Sequence, residues 1–186
     1  MFVHTVEDAP SPRVFDMTFP VSRTLYLRPG NLCVPGEPAR LCAVVASGVA
    51  VTIFDRERRM GGMGHYSHPK RRNGASTPVF AAPALVELVR MFKNLGSRPA
   101  ELETYLYGGS DNPFVPDFDP RRSALNVRFG LEILERLGVR VSGSDVGGRF
   151  ARKVVFCTAT GQSITAKVLE VRSNDWYPDL PAGVPP

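Results

Sequence analysis

The stretch "ARLCAVVASGVAVTIFD", Ala39 to Asp55, decides the fold of this chain. It is too continuously apolar and β-branched for a surface strand, so it predicts a buried strand or two strands split by a turn near "ASG". The segment "RERRMGGMGHYSHP" follows it, and there a glycine pair precedes His65. Glycine pairs often mark a tight turn that delivers the next side chain to a defined place.

Two helices are predicted downstream of this stretch. The first covers about 82–95, where leucine, valine and phenylalanine fall on one face and Gly96 supplies the end. The second covers about 121–137, with Asp119 as its N-cap and Pro120 at its first helical position.

Strand signals are denser than helix signals. The segments "ETYLYGG", "VRVSGSDVGG", "RKVVFCTATG" and "SITAKVLEV" each predict a strand, and the last three predict a C-terminal antiparallel meander. Strands before, between and after only two helices predict an α+β fold, a mainly antiparallel sheet system with the helices packed on it. Residues 1–23 are predicted to be an irregular extension, 24–171 the folded domain and 172–186 a proline-rich tail.

The composition is that of an ordinary globular protein. The 186 residues fit one domain, and 43% are hydrophobic and 22% charged. No apolar run approaches the roughly 20 residues that span a bilayer, so no membrane insertion is expected. The N-terminus lacks a basic start followed by an apolar run, which predicts no secretory signal and a cytoplasmic location.

The charge and the cysteines limit the classes of partner and cofactor. The net charge of +5 suits an acidic protein as well as nucleic acid. Its basic residues are dispersed and not interleaved with aromatics, so we expect no nucleic-acid partner. Three cysteines without C-x-x-C spacing predict reduced thiols, with no disulfide framework, structural zinc site or cofactor.

Four motifs in order resemble those of the CheD family, the chemoreceptor glutamine deamidases of bacterial and archaeal chemotaxis. They are "CAVVASGVAV" with "GGMGH", then "LYGGS", "ALNVRFGLEILERLGVRV" and "DVGGRFARKVVFCTATGQ". The resemblance covers about 27–169. It implies a cysteine hydrolase that converts receptor glutamines to glutamates, with a histidine as base and a threonine that helps to hold it.

The same resemblance implies a fold and partners. The fold would be a two-sheet, mainly antiparallel β core flanked by two principal helices, as in bacterial toxin deamidases. The partners would be the cytoplasmic helices of methyl-accepting chemoreceptors and a chemotaxis phosphatase of the CheC type.

The family's site residues match this chain with one large exception. His65 falls on the family histidine, but the nucleophile falls on Gly48, and the threonine position six residues earlier holds Cys42. Further positions that fit the family pattern are Ser47, Asp55, Gly61, Gly62, Asn126, Gly147 and Gly148. Glycine cannot form the covalent intermediate of amide hydrolysis, so the resemblance predicts an impaired enzyme that acts by binding.

Three alternatives stay open at this stage. Cys42 could serve as the nucleophile with His65 as base, although a thiol in an apolar strand is most often a small core residue. His65 and His68 could bind a metal with Cys42, although a loop histidine pair is commonly solvated. Gly48 could also be a change in this copy of the sequence rather than a native residue of the family member.

Overall fold

The computed structural model describes residues 21, 23–70, 76–114 and 119–171. The described strands are β1 (Arg23–Tyr26), β2 (Leu32–Cys33), β3 (Ala39–Val45), β4 (Val49–Asp55), β5 (Met60–Tyr66), β6 (Leu102–Gly108), β7 (Val141–Val146), β8 (Ala151–Cys157) and β9 (Ser163–Val168). The described α-helices are α1 (Ala81–Asn94) and α2 (Pro120–Arg136), and a short 3-10 helix covers Pro99–Glu101. The predicted tail at 172–186 and most of the predicted extension, 1–20 and 22, lie outside these residues, so the domain division stays a prediction.

The strands form two sheets. The first sheet has the order β1-β3-β8-β9, and the second has the order β2-β5-β4-β6-β7. Of the pairs between described strands, β1 with β3 and β6 with β7 are parallel, and the others are antiparallel. The predicted α+β fold with a two-sheet, mainly antiparallel core is therefore confirmed.

The Ala39–Asp55 stretch forms two strands that belong to different sheets. β3 lies in the first sheet and β4 in the second, so the bend at 46–48 carries the chain from one sheet to the other. All seven residues of β4 are buried, because the first sheet covers one of its faces and the helices lie beyond the other. The continuous apolar pattern is the signature of a strand covered on both faces.

Two apolar layers hold the structure together. One lies between the sheets and includes Leu41, Val45 and Phe156. The other lies between the second sheet and the helices and includes Ile53 and Leu88. Because these layers lie on opposite faces of the second sheet, alternate residues of its strands contribute to different cores.

The two helices lie within one residue of their predicted limits. The Asp119 side chain accepts hydrogen bonds from the backbone amides of Arg121 and Arg122, and Pro120 is the first helical residue. Both features confirm the predicted start of α2. No helix among the described residues has the length and hydropathy that crossing a membrane requires.

The predicted C-terminal meander is wrong in one strand. β8 and β9 form an antiparallel hairpin, but β7 pairs in parallel with β6 in the other sheet. The reason is α2, which connects β6 to β7 as a helical crossover and so returns the chain in the same direction.

The predicted turn at Gly61 and Gly62 is also wrong. Both residues lie inside β5, opposite Phe54 and Ile53 of β4. A Cβ at Gly61 would stand 2.7 Å from the Phe156 ring, and one at Gly62 would stand 2.6 Å from the Val34 side chain. Glycine occurs here because layers pack closely against both faces of β5, and no turn is involved.

Candidate functional site

His65 lies on the inner face of β5, between the two sheets. It shares this face with Met63 of the inter-sheet core, and only 2% of its surface is exposed. Its backbone is held at both polar groups, since its N–H donates to the Asn31 carbonyl and its carbonyl accepts from the Gly30 amide. The strand therefore fixes the position of the imidazole.

The imidazole of His65 is neutral, and its ring proton lies on Nδ1. Burial lowers the pKa of His65 from 6.5 to about 4, although a hydrogen bond to the Leu27 carbonyl opposes the shift. Nδ1 lies 3.1 Å from that carbonyl oxygen. Because a carbonyl can only accept, Nδ1 carries the proton, and Nε2 of the neutral ring is left as an acceptor.

Gly48 stands where Nε2 of His65 points. A Cβ built on Gly48 would lie 3.2 Å from Nε2 and 2.8 Å from the Tyr66 carbonyl oxygen. The φ angle of Gly48 is not in the left-handed region, so the backbone itself accommodates any residue. Close approach of the β5 end, rather than backbone strain, therefore limits what this position can carry.

Cys42 acts on His65 through its main chain. Its carbonyl accepts a hydrogen bond of 2.8 Å from the Leu27 amide, and the Leu27 carbonyl in turn accepts from His65. The resemblance implied that a threonine side chain at position 42 helps to hold the histidine. Here a backbone relay through Leu27 orients the ring, and nothing in the sequence marks Leu27 for this role.

The Cys42 side chain lies on the other face of β3. Its neighbours Leu41 and Ala43 face the core between the sheets, so alternation turns Cys42 away from that core and from His65. Burial raises the pKa of the Cys42 thiol, and the nearby Arg40 only partly opposes this. The structure thus brings His65 to Gly48 and does not bring it to Cys42.

Asn126 of α2 ties together the two segments that form the site. Its Nδ2 donates to the Ser47 carbonyl at 2.8 Å and to the Ser67 carbonyl at 3.0 Å. These carbonyls belong to the residue before Gly48 and to the residue that follows β5. Asn126 is fully buried, and its Oδ1 has no hydrogen-bond partner among the residues that the structure describes.

The remaining glycine motifs meet at the same end of the sheets. The Gly109 amide donates to the Gly48 carbonyl, and the Gly147 amide donates to the Gly108 carbonyl. Gly147 and Gly148 have φ angles of 73° and 68°, which few other residues adopt readily. The "LYGGS" and "DVGG" segments therefore form a backbone frame around the 46–48 bend.

The other charged and metal-binding candidates make local structural contacts. Burial raises the pKa of Asp55, but hydrogen bonds from Ser97 and Arg58 outweigh this effect and hold the pKa below its usual value. His68 bonds to the Ser67 hydroxyl through Nδ1 and packs against the Phe80 ring. The described residues contain no group of three or more His, Cys, Asp or Glu side chains that could hold a metal ion.

Comparison with known proteins identifies the family. A family profile described as "CheD chemotactic sensory transduction" matches residues 66–167. The chain belongs to the CheD family. The matched span includes Asn126, Gly147 and Gly148 and begins after Gly48 and His65.

Curated relatives agree with the profile. A probable chemoreceptor glutamine deamidase CheD 2 of Geobacter sulfurreducens is 30% identical over 146 residues, which are 77% of this chain and 89% of the relative. One from Anaeromyxobacter dehalogenans is 34% identical over 137 residues, 71% of this chain and 77% of the relative. One from Methanococcus maripaludis is 28% identical over 155 residues, 80% of this chain and 98% of the relative.

The geometry limits the chemistry that this site can support. A neutral imidazole with Nε2 as acceptor is the form of histidine that takes a proton from a nucleophile. The residue toward which Nε2 points has no side chain to supply that proton. The site therefore combines an oriented proton acceptor with a residue that has no side chain.

Proposed function

We propose that this CheD family member is a cytoplasmic chemotaxis protein that binds chemoreceptors but has lost, or nearly lost, the deamidation of their glutamines. The second partner in this proposal is a phosphatase of the CheC type. The observation that carries the proposal is the glycine at position 48, next to the Nε2 atom of His65.

The loss of activity follows from the chemistry of amide hydrolysis. A cysteine nucleophile divides the reaction into formation and hydrolysis of a covalent intermediate. Without that side chain, water would have to attack the amide directly. Removal of a nucleophile lowers the rate by several orders of magnitude, while substrate binding can survive.

The retained features favour binding as the remaining role. The hydrogen bonds that Asn126 donates to Ser47 and that Gly147 donates to Gly108, which shape the bend at 46–48, form without a nucleophile. The shape of this end of the molecule therefore does not depend on the residue that catalysis would need. A surface of unchanged shape could still hold a receptor helix in place.

Deamidation through Cys42 is the less favoured alternative. The thiol lies on the face of β3 opposite to the inter-sheet core that contains His65. Its raised pKa lowers the thiolate fraction near neutral pH, and the thiolate is the reactive form. Activation by His65 would require β3 to turn its other face toward β5.

The experiment uses purified chain and a cytoplasmic chemoreceptor fragment. Binding is measured by sedimentation, and mass spectrometry detects the small mass increase of a glutamine converted to glutamate. The Geobacter sulfurreducens relative is the positive control on the same fragment. We expect saturable binding without a mass increase for this chain; absence of binding to the receptor fragment, or product formation at the rate of the control, would refute the proposal.

A further inference from the structure

A cleft of about 690 Å³ opens between the sheets, away from the candidate site. Its walls include the β4–β5 turn and the β8–β9 turn. Both turns lie at the ends of the strands opposite to the 46–48 bend. Since the whole of β4 separates these turns from the 46–48 bend, a ligand in this cleft would not occupy the Gly48 and His65 site.

One wall of the cleft is aromatic. Phe54, Tyr105 and Tyr107 line it, and their side chains project from adjacent strands of the second sheet. The Tyr107 hydroxyl is hydrogen-bonded to Ser163 and Thr52, which fixes its ring. A volume of this size with flat apolar walls suits a small organic ligand or a short peptide segment.

Among the described residues, the rim of the cleft carries one arginine that forms no ion pair. Arg56 forms an ion pair with Glu103, so these two lining residues neutralise each other. Arg59 also lines the cleft and has no carboxylate partner among the described residues. A single guanidinium matches a single carboxylate, whereas a phosphate group usually recruits several cations or backbone amides.

Arg59 is held in a strained backbone conformation. Its φ angle of 50° is the only positive one at a non-glycine position among the described residues. Glycine would adopt this angle without cost, whereas arginine does so against steric resistance. Strained residues concentrate at ligand sites, where the surrounding structure holds them in place.

We propose that this cleft is a second binding site, for a carboxylate attached to an aromatic or other apolar group. The Arg59 guanidinium pairs with the carboxylate, and the apolar group lies against the rings of Tyr105 and Tyr107. The ligand is either a free organic acid or an acidic residue beside an aromatic residue in a peptide. This site is independent of the binding role proposed for the Gly48 end of the molecule.

The test is an NMR titration of the isotope-labelled full chain with phenylacetate and, in a second arm, with a capped Phe-Glu dipeptide. We expect saturable amide shifts at Gly161 and Ser163. Phenylacetamide and a capped Phe-Gln dipeptide are the uncharged controls, and they should bind at least about tenfold more weakly. Tighter binding of the dipeptide than of phenylacetate identifies a peptide ligand, and the reverse order identifies a free acid.

Variants of Arg59 test whether its guanidinium binds the carboxylate or is only an exposed surface charge. Arg59→Gln and Arg59→Gly should each weaken phenylacetate binding by about tenfold or more, while Arg140→Gln, at an exposed arginine outside the cleft, should leave it unchanged. Arg59→Gly should also raise the melting temperature, because it relieves the strained φ angle. Absence of saturable shifts at Gly161 and Ser163, equal binding of the uncharged controls, or unchanged binding in both Arg59 variants would overturn the proposal.

Discussion

The Nε2 atom of His65 lies 3.2 Å from the point where a Cβ atom on Gly48 would stand. The imidazole is neutral, and its Nδ1 proton is committed to the Leu27 carbonyl. Nε2 is therefore an acceptor directed at a residue that has no side chain. In the proposed function, His65 is the base of a deamidase whose nucleophile position is occupied by Gly48.

The contacts of Gly48 predict the cost of adding a side chain. Gly48→Ala should lower the free energy of unfolding by about 1–3 kcal/mol, because its Cβ would stand 2.8 Å from the Tyr66 carbonyl oxygen and the end of β5 would have to shift. Urea denaturation measures the change. Gly36→Ala is the matched control, since a Cβ at Gly36 meets nothing within 4 Å. Equal stability of the two variants would show that the site is open at position 48.

Burial of neutral His65 predicts that the folded protein loses stability on acidification, at pH values above those at which carboxylates titrate. Its folded-state pKa of about 4 lies below its usual value of 6.5, so the unfolded chain takes up a proton first as the pH falls. The stabilisation is complete above pH 6.5 and is lost as the pH falls toward 4. A pKa difference of this size corresponds to about 3 kcal/mol.

Denaturation curves between pH 7.5 and 4 measure this effect. The decline should be reduced in His65→Gln, which has no titrating group at this position. His68→Gln is the matched control and should retain the decline, because His68 is only partly buried and bonds to the Ser67 hydroxyl. An unchanged pH dependence in His65→Gln would contradict the assigned pKa.

Much of the fold could be predicted because local signals agreed with the tertiary structure. Asp119 and Pro120 mark the start of α2 by chemistry that works within one helical turn. The apolar run of Ala39–Asp55 predicted buried strands because both faces of β4 are covered. The strand that was misplaced, β7, depends on a crossover connection that no local pattern encodes.

The site could be predicted only where side chains carry it. The resemblance assigns Gly48 to the nucleophile position and His65 to the histidine position of the family, and the structure brings these two residues together. Leu27 could not be found, because it acts through its carbonyl oxygen and any residue offers one. Gly61 and Gly62 were assigned to a turn because sequence shows a missing Cβ but does not show whether φ or packing requires its absence.

Asn126 should stabilise the site through its two donated hydrogen bonds. Asn126→Ala removes the partners of the Ser47 and Ser67 carbonyls, and we expect it to lower the free energy of unfolding by about 2 kcal/mol. Asn126→Asp should cost more, because a buried carboxylate cannot donate to a carbonyl. Thermal denaturation checks both values, with Asn94→Ala at the exposed end of α1 as the control. A loss of stability no larger than that of the control would show that Asn126 does not stabilise the site.

Cys42 should behave as an unactivated thiol. Burial raises its pKa, so little thiolate is present at neutral pH. We expect iodoacetamide to label Cys42 near pH 7 more slowly than it labels free glutathione, as followed by mass spectrometry. The His65→Gln variant should be labelled at the same rate. Rapid labelling of Cys42 that depends on His65 would restore it as a candidate nucleophile.

The most direct test of the account compares the wild-type chain with Gly48→Cys on a chemoreceptor fragment, with deamidation followed by mass spectrometry. The new thiol would stand beside Nε2 of His65 once the Tyr66 carbonyl moves by a few tenths of an ångström. We predict no product from the wild type, product from Gly48→Cys, and none from the double variant that also carries His65→Gln. Product from the wild-type chain as fast as from Gly48→Cys, or a folded Gly48→Cys variant as inactive as the wild type, would contradict the claim that only the nucleophile is missing.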